Sequence, residues 1–172
     1  GCGVGYLVAN ESSPINSVIT RNYGEFACDM QVQTDDGRMW WQPGETSFHL
    51  DFSRRKVGKI VQRANKLVPG IIQEACSEAE IEANDIDLLI TNQPNPFFLR
   101  NWREALGVPA EKHPDTFEEH GNLFGAAMPI TFERAIEEER IAPGANVVFG
   151  GFSHAGDYAA AAVMKWQAQH NL

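Results

Sequence analysis

The sequence alternates between segments whose apolar residues recur every three or four positions and short, continuously apolar runs, and this alternation limits the possible fold more than any other feature. The longest helical segment begins near Ser53, a suitable N-terminal cap, and keeps its helical spacing as far as Ile71. Further predicted helices cover 96–106 and 123–140, and predicted buried strands cover 86–90, 146–149 and 158–166. Helices and strands in this alternation predict a mixed α/β layered domain.

Weaker signals predict several shorter elements. Strands are expected over 18–20, 28–32 and 48–50, a turn over 35–37, and a short strand near 116–117. The Pro69-Gly70 pair is expected to kink the long helix or to divide it in two.

Composition excludes several classes of protein. The 172 residues carry 14 Lys and Arg against 23 Asp and Glu, a net charge of −9, and 43% of them are hydrophobic. One globular domain over residues 1–172 fits these values, whereas broad binding to nucleic acid does not, because such binders carry excess positive charge. Three cysteines without CxxC spacing indicate neither a disulfide framework nor a zinc site, and no apolar run is long enough to span a membrane. We expect a soluble, cytoplasmic protein with no bound metal.

The first residues suggest a missing upstream part. The chain opens without Met, and Val4–Ala9 is already an apolar stretch typical of a buried strand. Domains rarely start with a buried strand, because termini usually fray at the surface. Either the chain has been shortened, or it is the downstream piece of a longer protein, and we favour the second interpretation.

Three polar loops lie where open α/β sheets place their ligand sites, at strand ends. Thr91–Asn95 follows one predicted strand, Glu119–Asn122 opens a predicted helix, and Gly150–Asp157 lies between the last two strands. Backbone amides at the N-terminus of that helix would favour a negative or developing negative charge.

Each loop taken alone also has a structural explanation. A Gly-Gly pair usually forms a turn, and Asn92 and Asn95 are suitable helix caps. His113, which precedes Pro114, is interpreted as a loop residue, and His49 as a structural residue of a short strand.

Taken together, the loops resemble the C-terminal half of ketoacyl-acyl carrier protein synthase III, a family with the thiolase fold. The resemblance depends on order and spacing: Asn-Gln-Pro-Asn begins at Asn92, and Asn122 of His-Gly-Asn-x-x-x-Ala-Ala lies 30 residues later. A glycine-rich loop then leads into a final alanine-rich strand. Upstream, Gly1–Gly5 is similar to the family's Gly-Asp-Gly-Ala-Gly strand, and Ser47–Leu50 is similar to its Ser-x-His-Leu segment.

The resemblance implies half of a larger enzyme. In this family two βαβαβαββ halves pack as a five-layered α-β-α-β-α sandwich, and the nucleophilic cysteine belongs to the N-terminal half, which this chain lacks. Cys2, Cys28 and Cys76 match no nucleophile position, and we interpret Cys2 and Cys76 as structural. The chain would supply the residues that face the thiolate.

The resemblance also assigns candidate catalytic residues. Asn92 stands where the family has a histidine, and Asn122 is the asparagine of the His-Gly-Asn motif. Both amides could donate hydrogen bonds to an oxyanion, but neither can serve as a general base.

His154, in the glycine-rich loop, is the candidate for the unfilled role of general base. It could deprotonate an incoming hydroxyl or amine, or activate the absent cysteine. The structural alternative is that His154 only packs beside Asp157.

Substrate delivery is implied by the same resemblance. Family members take acyl groups from coenzyme A or from phosphopantetheinyl carrier proteins, and these are substrates, so no cofactor is expected. Asn95 matches the asparagine that binds the pantetheine arm, and Lys59 matches a carrier-docking lysine. Gly156 is a further substrate-binding candidate, in the loop whose backbone amides help to form the family's oxyanion hole. Phe97 stands where the family often has a docking arginine, a role that Arg100 or Arg103 could take.

Three hypotheses follow. The first is the C-terminal half or subunit of a ketosynthase III-like enzyme that condenses or transfers acyl thioesters in specialised metabolism, with the cysteine on an N-terminal partner half and the completed enzyme a dimer. The second is a non-catalytic partner that completes a heterodimer and shapes its tunnel. The third is an independent small-ligand binder, although half of a sandwich should expose a large apolar face.

Overall fold

The computed structural model describes residues 4–5, 13–39, 41–50 and 53–167. The strands are β1 Ile15–Asn22, β2 Val32–Thr34, β3 Phe48–Leu50, β4 Leu88–Thr91, β5 Asn146–Ser153 and β6 Tyr158–Lys165. The α-helices are α1 Arg54–Glu78, α2 Pro96–Leu106, α3 Phe117–His120 and α4 Ala127–Glu137. Among the described residues, no helix combines the length and apolar character that crossing a bilayer requires.

A four-stranded mixed sheet organises the chain, so the predicted α/β class is confirmed. Its strand order is β1-β6-β5-β4, in which β4 and β5 are parallel and the other pairs are antiparallel. The three helices α2, α3 and α4 lie in the connection between β4 and β5. Strands β2 and β3 form a separate antiparallel ribbon. The carboxyl ends of β4 and β5 therefore meet at one edge of the main sheet.

Helices α1 and α2 cover one face of the sheet and build the larger core. Ser53 caps α1, because its side chain accepts a hydrogen bond from the Lys56 amide. At the centre of this core Trp102 is fully buried, and its indole N–H donates to the carbonyl of Ala64 over 3.1 Å. Of the two outcomes expected at Pro69, a kink or a division of the helix, the division is wrong, because α1 continues through the buried Pro69. A proline in a helix interior costs about 3 kcal/mol, because it removes a backbone hydrogen bond and its ring crowds the preceding turn. Burial of the flanking apolar side chains offsets this cost.

The opposite face of the sheet is covered only in part. Helix α4 packs over β4 and β5 in a smaller cluster that includes Ile90 and Val147. Val18 of β1 pairs with Ala162 of β6, and the register places both on this second face. Val18 is 58% exposed. The described chain therefore leaves the β1 and β6 side of this face without a helix.

Four local predictions are corrected by the structure. The segment predicted as a strand over 28–32 turns instead, because the Asp29 amide bonds back to Phe26, and only Val32 enters a strand. The strand predicted near 116–117 is wrong, because α3 begins at Phe117. The helix predicted over 123–140 is a 3-10 turn followed by the shorter α4. The glycine pair that was assigned to a loop lies inside β5. The predicted strand over Val4–Ala9 falls almost entirely outside the described residues.

We predict that Gly150→Ala destabilises the fold and that Gly70→Ala does not. A Cβ at Gly150 would lie 2.5 Å from Ile72 side-chain carbons in the core, whereas a Cβ at Gly70 on α1 meets no atom within 4 Å. Urea unfolding should show a loss of about 1–3 kcal/mol for the first variant and a gain of up to about 1 kcal/mol for the second. Equal stabilities of the two variants would contradict this packing.

Candidate functional site

The structure brings four of the six predicted site residues to one cavity. Asn92, Asn95, Asn122 and His154 all line an open space of about 730 Å³ at the carboxyl ends of β4 and β5. The rest of the lining is largely apolar and includes Val18, Ile60, Met128, Phe149, Phe152 and Tyr158. Polar groups converging on an apolar cavity are typical of a small-molecule or cofactor site.

Asn92 clamps the backbone of the neighbouring strand. Its side-chain Oδ1 accepts from the Phe152 amide over 3.3 Å, and its Nδ2 donates to the Phe152 carbonyl over 3.2 Å. A Cβ on Gly151 would lie 2.6 Å from that Oδ1, so only glycine at position 151 lets the Asn92 side chain lie this close to the strand. The second Nδ2 hydrogen makes no hydrogen bond within the described part of the chain, so Asn92 keeps one donor for a ligand.

Asn122 and Asn95 both use their side-chain oxygens locally. Asn122 Oδ1 accepts from the Phe124 amide over 2.9 Å, and Asn95 Oδ1 caps α2 by accepting from the Phe98 amide over 3.1 Å. The capping interpretation is therefore confirmed for Asn95, which also lines the cavity. Within the described residues both Nδ2 groups make no hydrogen bond, so each can donate to a ligand.

His154 lies in the tight turn between β5 and β6. Its Nδ1 is 3.3 Å from Asp157 Oδ1, and its backbone φ is +52°. The left-handed region is costly for a residue with a Cβ and is found mostly at turns and functional sites. His154 therefore both packs beside Asp157 and faces the cavity.

Lys59 and Gly156 do not line the cavity. Lys59 is exposed on α1, close in sequence to Arg54, Arg55 and Lys56. Gly156 is buried with φ +82°, and a Cβ there would lie 2.9 Å from Arg63 Cδ. Phe97 is 47% exposed, with the Arg100 guanidinium 5.9 Å from its ring centre. The substrate-binding roles of Lys59 and Gly156 remain predictions.

A buried hydrogen-bond network centred on Gln93 was not predicted from the sequence. Its Oε1 accepts from both the amide and the hydroxyl of Thr116, at 2.9 and 3.0 Å. Its Nε2 donates to Thr131 Oγ1 at 3.0 Å and to the Pro114 carbonyl at 3.3 Å. All four hydrogen-bonding positions of this amide are therefore filled. The only sequence signal was its position directly after Asn92.

His113 also has a more defined role than that of a loop residue. It is only 3% exposed, and its Nε2 lies 2.9 Å from the hydroxyl of Thr91, at the end of β4. Burial, with a smaller contribution from the positive charge of Arg103, lowers the pKa of His113 from 6.5 to about 4. The ring is therefore neutral at physiological pH.

The two described cysteines, Cys28 and Cys76, do not line the cavity. Cys76 is buried on α1, where burial raises the pKa of its thiol, and Cys28 is an exposed free cysteine. Cys2 lies outside the described residues. Within the described ranges, no group of three or more His, Cys, Asp or Glu side chains could hold a metal ion.

Comparison with known proteins gives a consistent match. The model of the 3-oxoacyl-[acyl-carrier-protein] synthase III C-terminal family matches residues 76–166. β-Ketoacyl-[acyl-carrier-protein] synthase III of Porphyra umbilicalis is 28% identical over 97% of this chain and 52% of its own length. The 2-heptyl-4(1H)-quinolone synthase subunit PqsC of Pseudomonas aeruginosa is 26% identical over 93% of this chain and 47% of its own length.

Solved structures agree on the fold. A β-ketoacyl-[acyl carrier protein] synthase III from Thermus thermophilus superposes with a TM-score of 0.75 at 24% identity, covering 93% of this chain and 48% of that one. OleA from Xanthomonas campestris gives 0.68 at 17% identity, covering 91% and 40%. The predicted thiolase-like half is therefore confirmed as the fold. The chain spans about half the length of the curated relatives it matches.

We predict that Gln93→Met lowers the free energy of unfolding by about 3 kcal/mol. The thioether cannot pair with the Thr116 amide or the Pro114 carbonyl, and each buried unpaired group costs about 1–3 kcal/mol. Gln73→Met, at an exposed position of α1, is the control and should change stability by less than about 0.5 kcal/mol. Urea unfolding of both variants tests this, and equal losses would contradict it.

We predict that His113 makes the fold sensitive to acid. The unfolded chain binds a proton at His113 below pH 6.5, but the folded chain does so only near pH 4, so stability is lost as the pH falls between these values. Between pH 7 and about pH 5 this loss is about 2 kcal/mol. His113→Gln should lose that much less than wild type over the same range in urea titrations. Parallel losses in the two proteins would show that His113 titrates normally.

Proposed function

Because the chain belongs to the family of 3-oxoacyl-[acyl-carrier-protein] synthase III C-terminal domains, we propose that it is the C-terminal half, or the corresponding subunit, of a ketosynthase III-like enzyme that acts on acyl thioesters. The observation that carries this proposal is the convergence of Asn92, Asn95, Asn122 and His154 on one apolar cavity. An apolar wall suits an acyl chain, and the amide groups suit the polar thioester and its pantetheine arm.

The nucleophile is proposed to come from an N-terminal partner half. Two observations support a partner: the chain spans about half of its relatives' length, and no helix of the described residues lies over the β1 and β6 side of the second sheet face. Phe124, beside Asn122, is 78% exposed and would be covered by such a half. We propose that this half carries the reactive cysteine and that the completed enzyme is a dimer in the cytoplasm.

The geometry suggests how the two asparagines act. When an acceptor attacks the thioester carbonyl carbon, the carbonyl π electrons move to its oxygen and create an oxyanion. The unused Nδ2 hydrogens of Asn122 and Asn92 can donate to that oxygen, and such preorganised donors stabilise the transition state more than the ground state. Because a carboxamide stays neutral at physiological pH and has no site that readily takes up a proton, Asn92 and Asn122 do not act as bases.

His154 is the proposed proton carrier. Asp157 Oδ1 lies 3.3 Å from Nδ1 as a close polar neighbour that makes no hydrogen bond within the described chain, and we propose that Nε2 is the atom that faces the reacting group. Nε2 would take the proton that the acceptor hydroxyl or amine loses. Collapse of the oxyanion re-forms the carbonyl and breaks the C–S bond, and the proton passes to the departing thiolate. The acceptor could equally be a carbon nucleophile formed by decarboxylation, as in a condensation.

Delivery of the acyl group is proposed to use the basic start of α1. Arg54, Arg55 and Lys59 are exposed there in a chain of net charge −9, and they could dock the phosphates of coenzyme A or a phosphopantetheinyl carrier protein. Asn95 would bind the pantetheine arm. Since Asn92 replaces the family histidine, we propose a specialised condensation or acyl transfer rather than the first step of fatty acid synthesis.

We predict the site of acylation and the effect of removing Asn122. The assembly that contains this chain is incubated with acetyl- and octanoyl-CoA, and each polypeptide is weighed by intact mass spectrometry. An acyl adduct is expected on the partner's cysteine and none on this chain. Asn122→Ala should retain that adduct but lower turnover by about 10²-fold, the effect of losing one oxyanion donor.

The matched control is Asn84→Ala, an exposed asparagine that does not line the cavity, and it should turn over at the wild-type rate. An adduct on this chain, or none on the partner, would contradict the proposal.

A non-catalytic partner subunit is the second candidate. It is favoured by the clamp between Asn92 and Phe152, which gives this asparagine a structural use without chemistry. If Asn122→Ala and His154→Ala both turn over at the wild-type rate, this candidate replaces the first.

A further inference from the structure

We propose that Arg63 of α1 is a positioning residue that holds the turn between β5 and β6, so that His154 faces the cavity. The inference rests on the proposed function, because it concerns the same acyl-transfer site. Arg63 itself does not line the cavity, so it would act through the turn rather than on the substrate.

The guanidinium group of Arg63 joins two segments that are far apart in sequence. One terminal nitrogen donates to the carbonyl of Ala155, in the turn, over 2.5 Å, and the other donates to Asp29 Oδ2 over 2.5 Å. The Arg63 side chain is only 12% exposed. The hydrogen bond from Arg63 lowers the pKa of Asp29, so that carboxylate stays charged at neutral pH. This pair is shielded from solvent far more than an ordinary surface ion pair.

Two packing contacts also hold the Arg63 side chain in place. Its carbon lies 3.4 Å from the centre of the Phe26 ring, a cation–π arrangement. The side-chain stem of Arg63 approaches Gly156 so closely that a Cβ there would lie 2.9 Å from Cδ. Because Gly156 has no side chain, the backbone of the turn can pack directly against the Arg63 side chain. This contact gives Gly156 a structural use that is independent of any contact with substrate.

The turn needs such support because its backbone is strained. His154 has φ +52°, a left-handed backbone conformation that is unfavourable for a residue with a Cβ. Ala155, which follows, is completely buried, and its carbonyl is paired by Arg63. Without the Arg63 donors that carbonyl would be unpaired, and relaxation of the turn would relieve both costs. The direction of the His154 ring would change with it.

The test compares Arg63→Met and Arg63→Lys with a matched control, Lys66→Met, which removes an exposed charge from the same helix. The first readout is the imidazole NMR signal of His154 in the assembly with only this chain labelled at histidine. His113 serves as the internal reporter of folding, because its ring stays neutral down to about pH 4. The second readout is turnover of acyl-CoA, separated into kcat and KM.

Arg63→Met is expected to shift the His154 signal, to leave the His113 signal unchanged, and to lower kcat by about 10- to 100-fold with little change in KM. Arg63→Lys, which keeps one donor and the charge, should recover part of both effects, and Lys66→Met should change neither. If Arg63→Met does not fold, Arg63→Lys and Asp29→Asn carry the same comparison.

An unchanged His154 signal and unchanged kcat in the folded variants would overturn the proposal. A shifted signal with unchanged kcat would overturn it too, provided that His154→Ala lowers kcat, and the proposed function would then survive. If His154→Ala itself turns over normally, the role of His154 in the proposed function fails, and the positioning role fails with it.

Discussion

A buried amide must find partners for all of its hydrogen-bonding groups, and Gln93 does so by joining three separate pieces of the chain. It lies two residues after the end of β4, it binds the backbone and hydroxyl of Thr116 ahead of α3, and it binds Thr131 inside α4. The loop of Asn92 and the helix behind Asn122 are therefore fixed relative to each other. Since water cannot replace these partners, the arrangement is held as a unit.

The cavity has a polar side that is held rigidly and an apolar side that is only partly covered. On one side, Asn92 and Asn122 present amide hydrogens from backbone-anchored side chains. On the other, Val18 and Phe124 leave apolar surface uncovered. Under the proposed function, one active site would be shared between two halves. This chain would supply oriented hydrogen-bond donors, and the second half would supply the nucleophile and cover the exposed apolar surface. Preorganised donors need such closure, because their effect on a developing charge grows as water is excluded.

Sequence patterns predicted the elements with strong periodicity and the residues that carry the family motifs. The helix at 96–106, the part of α1 as far as Ile71 and, with shorter bounds for β1 and β5, the strands of the main sheet were predicted, because burial on one face leaves a regular spacing. Contacts between residues that are distant in sequence were not predicted. Nothing in the local pattern indicates that Gln93 pairs with Thr116, that His113 is buried, or that Arg63 reaches Asp29. The strand predicted near 116–117 failed for the same reason, since the preference of a β-branched residue was overridden by a tertiary hydrogen bond.

The most direct test of the account is the position of the reactive sulfur relative to the asparagines. A crystal structure of the assembly with a bound acyl thioester would show it. We expect a cysteine sulfur from outside residues 1–172 within about 3–4 Å of the thioester carbonyl carbon, whose oxygen accepts from Asn122 Nδ2. A thioester bound elsewhere, or an Asn122 amide that faces no thiol from any neighbouring polypeptide, would contradict it.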